Sequence, residues 1–374
     1  MKLLYDHQIF DFQQYGGISR YFYELMRSYA ASGEPRFELA CPYTTNAYLW
    51  GAPFLKLNTP LTRKRFTGSG LVNNLLARGK NRSAAEAALQ AGAYDLFHPT
   101  YYDPYFLDHL GDKPFVLTVH DMTHERYPDC YPANDPTAGW KQLLVERAAH
   151  ILADSQSTKS DLLEFCRVPA EKVTVVHLGC SLASMATADS AVALPEKYLL
   201  YVGERSRYKN FAFAVRAMAP LFREQPGLQL LCVGGGVFTP EERALIVELG
   251  LTGRCRQMRL ADDELVAAYS HAVALIFPSL CEGFGIPVLE AFACGCPAIL
   301  SKRTSLPEVG GDAALYFDPE RGEELLSQVT RLLADNTLRA ELVQAGRERV
   351  REFSWERTAA ETRAVYARVL GGKR

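Results

Sequence analysis

The sequence lacks any apolar run approaching the ~18 residues a membrane-spanning helix needs, so it offers no candidate helical span. It has almost no net charge. Lys and Arg number 41 against 43 Asp and Glu, a formal balance of -2, so no overall field attracts nucleic acid, and nucleic acid is not expected as a partner. The nine cysteines are odd in number and include no C-x-x-C pair, which speaks against a disulfide framework and for buried reduced thiols. Cys294 and Cys296 form a C-x-C, but no second Cys or His pair stands nearby at ligand spacing. A dinucleotide fingerprint is also missing: Gly234-Gly235-Gly236 is followed by Thr239 where G-x-G-x-x-G requires its last glycine. At the start, Asp6 interrupts the apolar run before it reaches the ~7–15 residues of a secretory signal, so a cytoplasmic location is expected.

What is present is an ordinary globular composition, 48% hydrophobic and 22% charged, in 374 residues, a length that suits two domains. From Tyr198 onward short apolar runs alternate with amphipathic segments, the mark of βαβ units and a parallel sheet. Strands are expected at Tyr198 to Val202, Leu228 to Val233, Val273 to Phe277 and Cys296 to Leu300, with helices from about Phe211, from Thr239 or Pro240, and from Pro287 to Gly295. The first half repeats the theme, with strands at Lys2 to Tyr5, Phe37 to Ala40, Leu96 to His98, Phe115 to Val119, His150 to Ala153 and Val173 to Val176. Ile18, Tyr21, Phe22, Leu25, Met26 and Tyr29 recur at three and four residues and predict a helix with one buried face. The expected organisation is a Rossmann-like domain over 1–180, a linker over 181–196, a second Rossmann-like domain over 197–353, and a helix over 354–374 with Ser354 as its N-cap.

Ligands of doubly wound sheets bind beyond the carboxyl ends of the strands. The stretch from Pro278 to Gly295 lies there. Its glycines let the backbone approach a ligand closely, and Pro287 suits a helix start whose free amides favour a phosphate. Yet Glu282 and Glu290 flank the same place. Two carboxylates beside an anion site make sense if each accepts hydrogen bonds from hydroxyls on either side of a diphosphate, which describes a nucleotide sugar. Alternatively Glu290 complements the helix dipole and Glu282 is solvated. Gly203 to Asn210 carries Arg205, Arg207 and Lys209, cations that can neutralise a departing diphosphate, with Asn210 placed to cap the following helix. In the first half, Gly16-Gly17 precedes the helix at Ile18, and His120-Asp121 follows a strand.

Together, Gly16-Gly17-Ile18-Ser19-Arg20-Tyr21-Phe22, Thr118-Val119-His120-Asp121, Ala153 to Thr158, Gly203 to Asn210, the E-x7-E of Glu282 and Glu290, and Ser305-Leu306-Pro307-Glu308-Val309 resemble the retaining GT-B glycosyltransferases of family 4. The resemblance spans nearly the whole chain and implies two doubly wound domains with the active site in the cleft between them. It implies that Glu282 contacts the donor sugar and Glu290 the ribose. The amides of Gly283, Phe284, Gly285 and Ile286 would line the diphosphate and sugar, Arg205 and Lys209 would hold the leaving diphosphate, and His120 would lie near the anomeric carbon. Gly16 and Gly17 would face them from the first domain, and the last helix would cross back over that domain. Family members often place Arg directly after the loop glycine; here Glu204 intervenes.

The expected reaction is metal-independent, since the chain contains no D-x-D and the acidic cluster Asp262-Asp263-Glu264 looks like a helix start. No cofactor is expected. General likeness to members with a GGISRYF-type start favours mannose from GDP-mannose over a UDP-sugar, with a saccharide or lipid-linked saccharide acceptor in cell-surface polysaccharide synthesis; a noncatalytic nucleotide-sugar-binding protein is the remaining alternative. Between Glu38 and Glu86 there is no acidic residue, while Lys56, Arg63, Lys64, Arg65, Arg78, Lys80 and Arg82 are basic. Residues 56–82 could therefore rest on an anionic membrane face, or be a solvated basic surface.

Overall fold

The structure, a computed structural model, describes residues 1–55, 70–182 and 192–372, and for 70–75 the backbone alone. Most of the expected linker, and Lys56, Arg63, Lys64 and Arg65, lie outside the described residues.

Among the described residues twelve strands run parallel: β1 (Lys2–Tyr5), β2 (Arg36–Leu39), β3 (Leu96–His98), β4 (Val116–Val119), β5 (His150–Ala153), β6 (Val173–Val175), β7 (Lys197–Val202), β8 (Leu228–Val233), β9 (Cys255–Met258), β10 (Leu275–Phe277), β11 (Ala298–Ser301) and β12 (Ala314–Phe317). In the first domain β2-β1-β3 and β4-β5-β6 are joined by a parallel bridge from Phe97 to Phe115. In the second the order is β12-β11-β10-β7-β8-β9, the doubly wound arrangement whose strand order reverses between β10 and β7. Strands such as β4 and β5 are buried throughout, because helices cover both faces of a parallel sheet and leave no side for polar alternation.

The Gly17–Ser32 helix buries Tyr21, Phe22, Leu25, Met26 and Tyr29 and ends at Gly33, whose φ of 75° suits a residue without Cβ. Ser354 accepts a hydrogen bond from the Arg357 amide and starts the Trp355–Gly371 helix. That helix lies on the first domain: Tyr29 donates to the Ala359 carbonyl at 3.2 Å, and the Tyr366 hydroxyl sits 2.6 Å from His98 Nδ1.

One local expectation is corrected, and the structure adds elements to those expected. Asn210 does not cap the Phe211–Glu224 helix; its φ is 58° and its side chain donates to the Pro319 carbonyl. β9 and β12 were not foreseen: β9 is a half-exposed edge strand, CRQM, without an apolar run. The helices Gly70–Ala91, Gly322–Ala334 and Asn336–Arg349 add to those foreseen.

Candidate active site

β10 leads through Pro278 to Gly285, whose φ of 104° only glycine adopts without strain, and into the Ile286–Ala293 helix with Pro287 in its first turn. The loop is pinned from behind. Ser305 donates from its hydroxyl to the carbonyls of Glu282 and Phe284, both at 2.9 Å, and Thr304 Oγ1 accepts from the Glu282 amide. At the head of the helix Pro287 has no amide hydrogen and the Val288 amide donates to the Gly285 carbonyl at 2.9 Å, which leaves the amide of Ile286 without a helical acceptor. Beside it, after β7, Lys209 Nζ reaches both Glu282 carboxylate oxygens at 2.8 Å. Burial alone would lower the Lys209 pKa, but Glu282 outweighs it and the pKa is raised, so the pair is ionic. An ammonium has three donors, so one is left for a phosphate oxygen.

Arg205 is not free to hold a diphosphate. Its guanidinium bonds Glu242 through Nε at 2.9 Å and the carbonyls of Gly234, Gly235, Gly236 and Val237, with Phe238 beneath it at 4.9 Å. Its side chain is 2% exposed. These contacts assign it to holding the glycine loop after β8, whose three left-handed residues (φ 88°, 65° and 70°) turn their carbonyls inward. Arg207, by contrast, reaches the Asp129 carbonyl of the first domain at 3.2 Å.

The first domain supplies the facing wall. At the tip of β4, His120 Nδ1 lies 2.8 Å from Asp154 Oδ2, which β5 presents, and the His120 amide donates to Tyr102. Burial holds the Asp154 pKa up despite its histidine partner. With Nδ1 against a carboxylate, the ring's Nε2 has no hydrogen-bond partner among the described residues. Gly283 packs so tightly on the His120 carbonyl that a Cβ there would collide with it, while a Cβ on Gly17 would meet Ile286 at 3.5 Å. Thr158 donates to the Gly283 carbonyl at 3.2 Å. The cleft thus brings Gly17, His120, Lys209, Glu282, Gly283 and the head of the Ile286–Ala293 helix together. Gly16, with an extended φ of 169°, is the N-cap of its helix and packs against the Gln13 side chain.

Glu290 is engaged more than its sequence context indicates. Buried in the second turn of its helix, it accepts from Arg20 Nη1 at 2.9 Å and from Tyr269 at 3.0 Å. Arg20 comes from the first domain and also reaches Asp262 Oδ2 at 3.2 Å and the Tyr48 hydroxyl at 3.2 Å. A second domain-spanning carboxylate, Glu308, accepts from the Gln156 amide at 2.9 and 3.0 Å and lies 2.6 Å from His177 Nε2. Burial opposes its charge, but His177 and these amides prevail and its pKa is lowered. Arg20, Asp154 and Glu308 each stood inside a quoted motif, yet nothing in the sequence paired them with partners so distant.

Two family models tile the chain: Glycosyltransferase Family 4 matches residues 15–184 and Glycosyl transferases group 1 matches 187–349. The chain belongs to the group 1 glycosyltransferases, with the GT-B fold. Among curated relatives of this glycosyltransferase, an O-antigen chain mannosyltransferase B of Escherichia coli is 28% identical over 73% of this chain and 79% of its own length. A D-inositol 3-phosphate glycosyltransferase of Salinispora arenicola is 29% identical over 76% and 71%. Among solved structures, a sucrose-phosphate synthase from Thermosynechococcus elongatus superposes with a TM-score of 0.74 at 23% identity, covering 99% of both chains. Anabaena HepE in complex with UDP and glucose gives 0.70 at 17%, covering 98% of this chain and 99% of its own.

Proposed function

We propose that the protein transfers a mannosyl group from GDP-mannose to a saccharide or lipid-linked saccharide acceptor in cell-surface polysaccharide synthesis, with retention of configuration and without a metal. The observation that carries the reading is the Lys209–Glu282 pair beside the head of the Ile286–Ala293 helix, facing His120–Asp154 across the cleft. The 28% identity to the O-antigen mannosyltransferase supports the choice of sugar. HepE with bound UDP and glucose favours a second reading, a UDP-sugar donor.

In the proposed reaction Glu282 accepts hydroxyls of the donor sugar, while Lys209 and the Ile286 amide take up charge as the bond from the anomeric carbon to the phosphate oxygen breaks. The acceptor oxygen forms its bond to that carbon on the same face, and its proton passes to the departing phosphate oxygen. No side-chain nucleophile is needed; a covalent glycosyl-enzyme trapped with Glu282→Gln would overturn this. The basic stretch 56–82 is proposed to rest on an anionic membrane face; within it Arg78 and Lys80 lie over the rings of Phe12 and Tyr43. Charge removal there should weaken sedimentation with anionic liposomes.

The deciding experiment is thermal unfolding with GDP, UDP, ADP, TDP and their sugar conjugates in EDTA. A ligand ~100-fold above its dissociation constant stabilises by about 2.7 kcal/mol. A shift with GDP and GDP-mannose, and none or a weaker one with the other bases, is expected, followed by transfer to saccharide acceptors in EDTA. A shift with UDP-sugars alone selects the second reading, and binding without product formation would leave a noncatalytic protein.

A further inference from the structure

Glu290 is the one candidate donor contact whose carboxylate is already tied to the opposite domain. Its side chain is 7% exposed and that of Arg20 8% exposed, so neither charge is left to water. One oxygen accepts from Arg20 and the other from Tyr269. A carboxylate has about four lone-pair sites, so two acceptor positions are left over. Arg20 is itself held on three sides, by Glu290, Asp262 and Tyr48. It stands one turn into the helix that begins at Gly17, which approaches Ile286 across the cleft.

We infer that Arg20 is a positioning residue for nucleotide binding: from the first domain it orients the Glu290 carboxylate, so that the leftover acceptor positions serve the hydroxyls of a nucleoside ribose. The inference rests on the reading of Glu290 as the ribose contact. It makes the nucleotide pocket a property of both domains, complete only when they are together.

The groups facing Glu290 are few. From the Gly17–Ser32 helix comes Arg20, with Tyr48 behind it; from the Asp262–His271 helix come Tyr269 and Asp262; on its own helix's end lies Cys294. Burial raises the pKa of Tyr269, Tyr48 and Cys294, so these stay neutral near pH 7. Asp262 is of like charge. Burial raises the Glu290 pKa, and Arg20 is the cation that opposes the rise. Without that cation the pKa climbs further, and the carboxylate loses its charge, and half its acceptor capacity, at a higher pH.

The test measures dissociation constants of GDP and UDP by calorimetry on the full chain between pH 6 and 8. The terminal phosphate titrates in the same range, so the readout is the ratio of variant to wild type at each pH. For Arg20→Gln the ratio is expected to grow severalfold as pH falls from 8 to 6, the direction set by a Glu290 carboxyl whose pKa rises further once its cation is gone. In the Glu290→Gln background, adding Arg20→Gln should leave the ratio flat. A second arm does not depend on how well Arg20→Gln folds. Arg20→Lys keeps the charge but loses the planar fork; it should weaken GDP and UDP by about threefold or more and leave their 2′,3′-dideoxy analogues unaffected. A pH-independent ratio for Arg20→Gln, or equal weakening of the intact and dideoxy nucleotides by Arg20→Lys, would overturn the inference while the donor reading stands. Wild type that binds neither nucleotide at any pH would overturn both.

Discussion

Lys209 and Arg205 sit four residues apart and carry the same charge, yet the structure gives them different work. Lys209 spends two of its donors on a carboxylate in the cleft, whereas the contacts of Arg205 run to Glu242, to loop carbonyls and to aromatic faces. Lys209→Met should therefore lower kcat about 10²–10³-fold, the loss typical for one preorganised group at developing charge, with a modest fall in melting temperature. Arg205→Gln should behave the other way. It breaks a buried ion pair and frees four backbone carbonyls, so unfolding free energy should drop by about 3 kcal/mol in urea titration while turnover per folded molecule falls less than for Lys209→Met. Equal catalytic losses with equal stability would show that Arg205 meets the substrate after all.

At the scale of elements, the Trp355–Gly371 helix is fastened to the first sheet through Tyr366, which meets both Tyr5 and a histidine. His98 ends β3, with Tyr366 on Nδ1 at 2.6 Å and Thr118 on Nε2 at 2.9 Å, and burial, with His120 nearby, lowers its pKa to about 3. In the folded chain it stays neutral where the unfolded chain, with an ordinary value near 6.5, takes up a proton. Stability supplied by this group is thus whole above pH ~6.5 and falls by about 1.4 kcal/mol per pH unit below it, until the folded-state value is reached. Thermal melts of His98→Gln from pH 7 to 4.5 should start lower and fall less steeply than wild type; parallel slopes would contradict this. The sequence made the tip of this strand legible, and most others, because parallel strands are apolar runs closed by Gly, Pro or His. It hid β9, which lies at an edge and needs no apolar run, and the partner of His98, which stands 268 residues away. The candidate site was legible to the same degree. Its residue types and strand-end positions could be read, but the pairing of Arg20 with Glu290 over 270 residues depends on how two domains meet. Arg205 is not resolved by the sequence, because a loop cation and a loop strut have the same local sequence.

Across the whole molecule, the two domains meet through contacts with demanding geometry. Gly283 admits no side chain against the His120 carbonyl, Tyr127 and Thr158 of the first domain donate to the carbonyls of Leu280 and Gly283, and Arg20 bridges to Glu290. Glu308 reaches furthest in the other direction. From the Leu306–Gly310 turn of the second domain it accepts the first amides of the Gln156–Phe165 helix of the first, so a carboxylate of one domain sits on the positive end of a helix of the other. Such a contact is made only when the cleft is closed to this extent. Glu308→Ala removes the charge and leaves those amides to water, costing about 1–2 kcal/mol of domain association, since amide bonds to a charged acceptor are the stronger kind. Its folded-state pKa is lowered, so this contribution is present above the ordinary carboxylate value of 4.5 and is lost as pH falls through the folded one. Small-angle scattering at pH 7.5 should show a larger radius of gyration for Glu308→Ala than for wild type, and wild type should approach the variant as the pH is lowered below 4.5. If both keep the same radius over that range, the other interdomain contacts suffice to hold the cleft closed.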